Sequence, residues 1–186
     1  MSYCILVARY NENIEWTQQF ENVIIYNKGD TLNVCNEILL NNVGREGHTY
    51  YKYICDHYDN LAEYTIFLQG NPFDHSPNII SMLNHCVNTK LMIDFEFISE
   101  AVYDCNLINC THRHGLPLIY VYEKIFQEKK IDMNFQFGAG AQFIVHKKNI
   151  LNKPKEFYVR IIKMLEYDID PIEGHVIERF HKLIFK

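Results

Sequence analysis

The sequence predicts a single α/β domain over residues 1–186, with three layers around a mainly parallel sheet. Three observations predict it. Short, continuous apolar runs recur at residues 4–8, 22–26 and 64–68. Segments with helical spacing alternate with these runs. Each run closes on a polar, turn-forming stretch.

The first run, CILVA at 4–8, lacks polar alternation, as suits a strand buried on both faces. Residues 9–13 read as a turn and 14–20 as a short helix. The run at 22–26 is a second strand, closed by a turn at 27–30. The loop at 42–47 feeds a helix from about residue 48 to 58, with Tyr50, Ile54, Cys55 and Tyr58 on one face. Residues 64–68 form the third strand, ended by 69–72. Ser76 and Pro77 suit the cap and first turn of a helix reaching about residue 86. Residues 91–97 alternate weakly, as a strand would. Helices follow at 118–126 and 154–165, with a strand at 142–145 after a Gly-Ala-Gly turn. Pro171 opens a last helix whose Val176, Phe180 and Leu183 make an apolar stripe. No repeat, low-complexity tract or long linker interrupts the chain.

Composition narrows the function. The 186 residues are 48 % hydrophobic and 22 % charged, as in soluble globular proteins. A net charge of −5 argues against a general nucleic-acid binder. No apolar run approaches the roughly 20 residues that span a bilayer, so no transmembrane segment is expected. The N-terminus does not read as a secretory signal. The cysteines at 4, 35, 55, 86, 105 and 110 are then expected to be reduced thiols of a cytoplasmic protein, mostly buried.

Open α/β sheets bind ligands at the carboxyl ends of their strands. The polar residues after each run are therefore the candidates: Arg9, Tyr10, Asn11 and Glu12; then Asn27 and Asp30; then Gln69, Asn71, Asp74 and His75. Gly44-Arg45-Glu46-Gly47 precedes a helix, where free N–H groups and an arginine suit a phosphate, or where the glycines simply turn the chain. Asp74 can hold a divalent cation or shape a turn. Cys105, Cys110, His112 and His114 offer four zinc ligands at an unusual spacing, or a polar loop. On the last helix Glu178 and His181 face the same way, with Glu173 earlier. That set is either a solvated face or a base with a metal ligand. Gly138-Ala-Gly140 reads as a tight turn or a close backbone approach to a ligand.

In order, these segments resemble a superfamily. Arg9-Tyr10-Asn11-Glu12 is similar to the Tyr-Asn-Glu signature of GT-A-fold nucleotide-sugar glycosyltransferases. The turn at 26–30 sits where they recognise the base, and Asn42-Val43-Gly44-Arg45 is similar to their segment before a helix. Over nearly the whole chain, NVGREGHTY, FLQGNPFDH and GAGAQF resemble an uncharacterised domain-of-unknown-function family.

The GT-A resemblance implies a glycosyltransferase that moves a sugar from a nucleoside diphosphate to a glycan or other hydroxyl acceptor. It implies a nucleotide site from Arg9, Tyr10, Asn11, Glu12, Asn27, Arg45 and Gln69. Asp74 and His181 would bind Mn²⁺ or Mg²⁺, and Glu178 or Glu173 would be the catalytic base. One departure stands out. Gln69-Gly70-Asn71 occupies the place of the superfamily's metal-binding Asp-x-Asp, and amides are poor ligands for hard dications. The alternatives are a non-catalytic nucleotide- or glycan-binding module of the same fold and a metal-dependent hydrolase.

Overall fold

The computed structural model describes residues 2–89, 92–110 and 112–186. The strands are β1 (Tyr3–Arg9), β2 (Val23–Asn27), β3 (Glu37–Leu39), β4 (Tyr64–Gln69), β5 (Phe95–Phe97), β6 (Val102–Asn106), β7 (Asn134–Gly138) and β8 (Phe143–His146). The helices are α1 (Arg45–His57), α2 (Ile79–Asn88), α3 (Leu118–Phe126), α4 (Lys147–Leu151), α5 (Lys155–Leu165) and α6 (Ile172–Ile184). A 3-10 turn, Glu15–Gln19, follows β1.

The main sheet runs β3-β2-β1-β4-β8-β5. Its first four strands are parallel, while β8 and β5 each pair antiparallel. The sheet is therefore mixed: three of its five pairings are parallel, as expected, and two are antiparallel. The reason is local: the chain enters β8 from a tight turn at the carboxyl edge, so β8 must run back against β4. A second sheet, β6 with β7, was not legible in the sequence.

Alternation in β1 divides the core. Cys4 and Leu6 join one cluster with residues of α1, α3, α5 and α6. Ile5 and Val7 join another with Ile79 and Leu83 of α2. The cluster under α1 is strongly aromatic. Phe67 and Phe143 stack with centroids 4.8 Å apart, and Phe185 lies 5.4 Å from Phe143. The chain's second-last residue is thus core, not tail.

Several boundaries differ from expectation. Ser76 does not cap α2; its hydroxyl donates to the Ile98 carbonyl at 3.1 Å, and the helix begins at Ile79. The weak strand at 91–97 narrows to Phe95–Phe97, and its first residue, Leu91, lies outside the described residues. Helix α1 starts three residues early, at Arg45, because Gly44 takes a left-handed turn (φ 66°). A Cβ there would sit 2.6 Å from the His48 Cβ, so the position favours glycine.

Phe185→Ala should cost about 3–5 kcal/mol, the usual range for a buried phenylalanine. At about 2–4 °C per kcal/mol for a chain of this size, thermal unfolding should begin far lower. A midpoint unchanged within 2–3 °C would show that the C-terminal ring is not part of the core.

Candidate functional site

The carboxyl edge of the parallel strands is pinned by Arg9, which ends β1 and is 8 % exposed. Its Nη1 donates to Asn27 Oδ1 at 2.8 Å and to the Asp30 carbonyl at 2.9 Å. Its Nε donates to the Glu12 carbonyl at 3.0 Å. Asn27, fully buried at the end of β2, donates to the Asp30 carbonyl at 2.8 Å and to Glu37 Oε1 at 2.6 Å. Asn11 Oδ1 accepts from the Asp30 N–H, and Glu12 Oε2 accepts from the Tyr10 N–H. Two turns are thereby locked together by groups that leave little buried polarity unmatched.

A cavity of about 740 Å³ opens beside this pin, lined by Arg9, Asn11, Glu12, Ile14, Phe20 and Leu32 among others. Asn27 lies behind it, with both amide atoms engaged inside the protein. Tyr10 stands half exposed nearby in sequence. Gln69 ends β4, opposite Ala8 of β1.

A charged corner lies where α1 starts and α6 crosses it. The Lys28 ammonium donates to the carbonyls of Val43 and Arg45, which ties the β2 turn to the start of α1. Burial holds Lys28 down to about 8. Arg45 Nη1 donates to Asp170 Oδ1 at 3.0 Å, and the His175 ring lies 2.9 Å from that same carboxylate.

Glu178 is the hub of this corner. Its Oε1 accepts from the Gly140 N–H at 3.0 Å, and its Oε2 lies 3.6 Å from Arg179 Nη1. Burial first, then the charge of Glu46, raises its pKa above the ordinary carboxylate value, while Arg179, Arg45 and the Gly140 N–H oppose the rise. Gly140 takes φ 83°, and a Cβ there would fall 2.3 Å from the His75 ring. The turn thus sits between Glu178 and His75. Gln142, fully buried, fixes it by donating to the Pro72 carbonyl at 3.0 Å. Of the two carboxylates expected as base, Glu173 stands apart, accepting from the Tyr167 hydroxyl at 2.6 Å.

The expected metal pair is not brought together. Asp74 is exposed on its turn and accepts from Asn71 Nδ2 at 3.1 Å. His181 is 1 % exposed in an aromatic shell, its ring 4.5 Å from Phe143 with Tyr50 and Tyr51 beyond. Burial pushes its pKa down to about 3. A carboxylate in water and an imidazole sealed in the core do not share an ion. Among the described residues, no three His, Cys, Asp or Glu side chains assemble as a ligand set. One exposed carboxylate beside the Asn71 amide fits Mn²⁺ or Mg²⁺ poorly.

The thiol expectations also need correction. Cys105 and Cys110 form a disulfide, so they are neither reduced nor zinc ligands. His112 packs its ring 4.1 Å from that of Tyr103. Cys4, Cys35, Cys55 and Cys86 are free.

Comparison with known proteins places the chain by sequence. Residues 5–186 match the family model described as a protein of unknown function (DUF3431). The chain belongs to this family. No curated protein and no solved structure matches it.

Sequence reasoning missed part of the corner. It gave Arg179 no role, and it read the 105–114 loop as zinc ligands or a polar loop, passing over Arg113. The charges of Arg113 and Arg45 both bear on His175 and Arg179. The scarcity of arginine was an available signal: the chain has five against thirteen lysines, and the charges of three of the five act on this corner.

A carboxyl whose pKa is raised on folding holds its proton longer in the folded chain than in the unfolded one. Stability then falls as pH rises from the ordinary carboxylate value towards the raised one, and stays lower above it. Glu178→Gln keeps an acceptor for the Gly140 N–H and removes that loss. Its unfolding midpoint at pH 7 should equal or exceed that of the wild type. A drop of more than about 2 kcal/mol would instead make the charge a net stabiliser, as in a strong ion pair.

Proposed function

We propose that the protein is a glycosyltransferase that takes a sugar from a nucleoside diphosphate and passes it to a hydroxyl acceptor. The observation that supports this most is the desolvated Glu178 carboxylate at the corner where α1 starts, among arginines and near the strand ends. The mixed sheet, with its parallel strands ordered β3-β2-β1-β4, brings the polar turns after β1, β2 and β4 to a single edge. Crevices at such edges are where open α/β sheets bind ligands.

The roles follow from chemistry. The cavity beside Arg9 takes the nucleoside, with Asn11 and Glu12 as polar walls and Leu32, Ile14 and Phe20 as apolar ones. The exposed Tyr10 ring offers a stacking face. Gln69, at the end of β4, stays at the rim of this site. The Arg45 guanidinium faces the diphosphate, since paired guanidinium donors favour anions; the Gly44 and Arg45 N–H groups at the start of α1 are already taken by the Asp168 and Ile169 carbonyls.

Glu178 takes the proton from the acceptor hydroxyl. The acceptor oxygen bonds to the anomeric carbon as the bond from that carbon to the diphosphate oxygen breaks. The bonding pair leaves with the diphosphate. A carboxylate with a raised pKa is the stronger base, and burial supplies that strength here. The residues at the end of β4, Gln69-Gly70-Asn71, fit a divalent cation poorly.

Glu178→Gln tests the reading. Incubated with a panel of nucleoside-diphosphate sugars and hydroxyl acceptors, the wild type should transfer from at least one donor. The variant should lose about 10²-fold or more in kcat with donor KM little changed, the usual size of a general-base contribution. Equal turnover by the two proteins would remove Glu178 from the chemistry.

A further inference from the structure

We propose that Arg45, Arg113 and Arg179 form one oxyanion subsite that holds the donor diphosphate and neutralises it without a divalent cation. This deepens the transferase reading and rests on it for the identity of the donor. The subsite itself is argued from the arginines and their surroundings.

Arg179 is 4 % exposed, yet its Nε has no hydrogen-bond partner among the described residues. Its Nη1 donates to the His175 carbonyl at 2.6 Å. Its guanidinium lies over the Phe137 ring, 4.7 Å from the centroid. A buried guanidinium with an idle donor is costly unless something answers it. Glu178 answers only in part, at 3.6 Å.

Arg113 follows His112 in the loop after β6. Its neighbour His112 packs against Tyr103 and against the edge of Phe137, the ring beneath Arg179. Arg113 itself is exposed, and its charge reaches both Arg179 and His175. Arg45 completes the set. Its Cδ lies so close to α6 that a Cβ on Gly174 would come within 3.1 Å of it. Its partner Asp170 is more than half exposed, so an incoming anion competes with a contact that water already weakens.

The choice of residue points the same way. Guanidinium presents paired donors that match paired oxygens, which ammonium does not. The chain has five arginines and a net charge of −5, and the charges of three of the five act on this corner. At the end of β4, where acidic ligands would hold a dication, it has Gln69-Gly70-Asn71. As the sugar leaves, the electron pair of the broken C–O bond moves onto the diphosphate. Arginine N–H groups already facing those oxygens can stabilise that charge with no proton transferred.

The test uses the intact protein and inorganic pyrophosphate as probe, titrated calorimetrically in EDTA. Acetate and glucuronate serve as carboxylate comparators. The wild type should bind pyrophosphate, and more tightly than either carboxylate. Arg113→Ala, an exposed change that should leave folding intact, should weaken binding about tenfold or more, the worth of one charge-assisted contact. Arg179→Lys, which keeps the charge but loses the paired donors, should also weaken it. Lys163→Ala, on α5, should not. Three results would overturn the proposal: no pyrophosphate binding in EDTA, binding that appears only when Mn²⁺ is added, or equal affinity in Arg113→Ala and the wild type. Because the probe carries no sugar, a failed transferase assay would leave a positive result here standing.

Discussion

The contact between Arg9 and Asn27 holds the ligand-facing edge of this protein in register. Both side chains are buried, and they meet at 2.8 Å across the ends of β1 and β2. Two adjacent parallel strands end there in loops that would otherwise be free to splay. The guanidinium also gathers the carbonyls of Glu12 and Asp30, so the same cation shapes both turns. Removing either partner would leave a buried polar group unanswered, which costs more than the bond itself gains. The cavity beside Arg9 and the path through Lys28 to the start of α1 both depend on that pin.

The second constraint is electrostatic. Glu46, Glu178 and Asp170 meet Lys28, Arg45, Arg113 and Arg179 in one corner, partly shielded from water. Burial and like charge set the pKa of Glu178 above its ordinary value, and the Gly140 N–H holds its carboxylate in a fixed direction. Gly140 in turn depends on Gln142, which anchors the turn to the Pro72 carbonyl. The loop after β4, the turn before β8 and a side chain of α6 thus meet at a backbone position that only glycine fits comfortably.

Much of the fold was legible because burial on both faces leaves a strong mark. The runs of β1, β2 and β4 are almost purely apolar, and their parallel pairing follows. Strands β6 and β7 were missed because alternation there mixes polar and buried positions, as in Val102–Asn106. The direction of β8 could not be read from its own residues, since it is set by the turn before it. In the site, local sequence identified Glu178 but not its environment. His181, two helical positions beyond Arg179, looked equally polar, yet packing seals it among Tyr50, Tyr51 and Phe143. The charge of Arg113 reaches the corner from a loop far away in sequence, a relation that no local pattern records. The Cys105–Cys110 bridge has the same character, because two thiols five residues apart pair only if the loop between them turns back.

The central claim is that this edge binds a nucleoside diphosphate. Thermal unfolding with UDP, GDP, dTDP and CMP, each in EDTA and again with Mn²⁺, tests it most directly. A ligand at one hundred times its dissociation constant adds about 2.7 kcal/mol. That should raise the midpoint by several degrees for a chain of this size. The account predicts such a rise with one nucleoside diphosphate, of the same size in EDTA as with Mn²⁺. No rise with any of the four would contradict it.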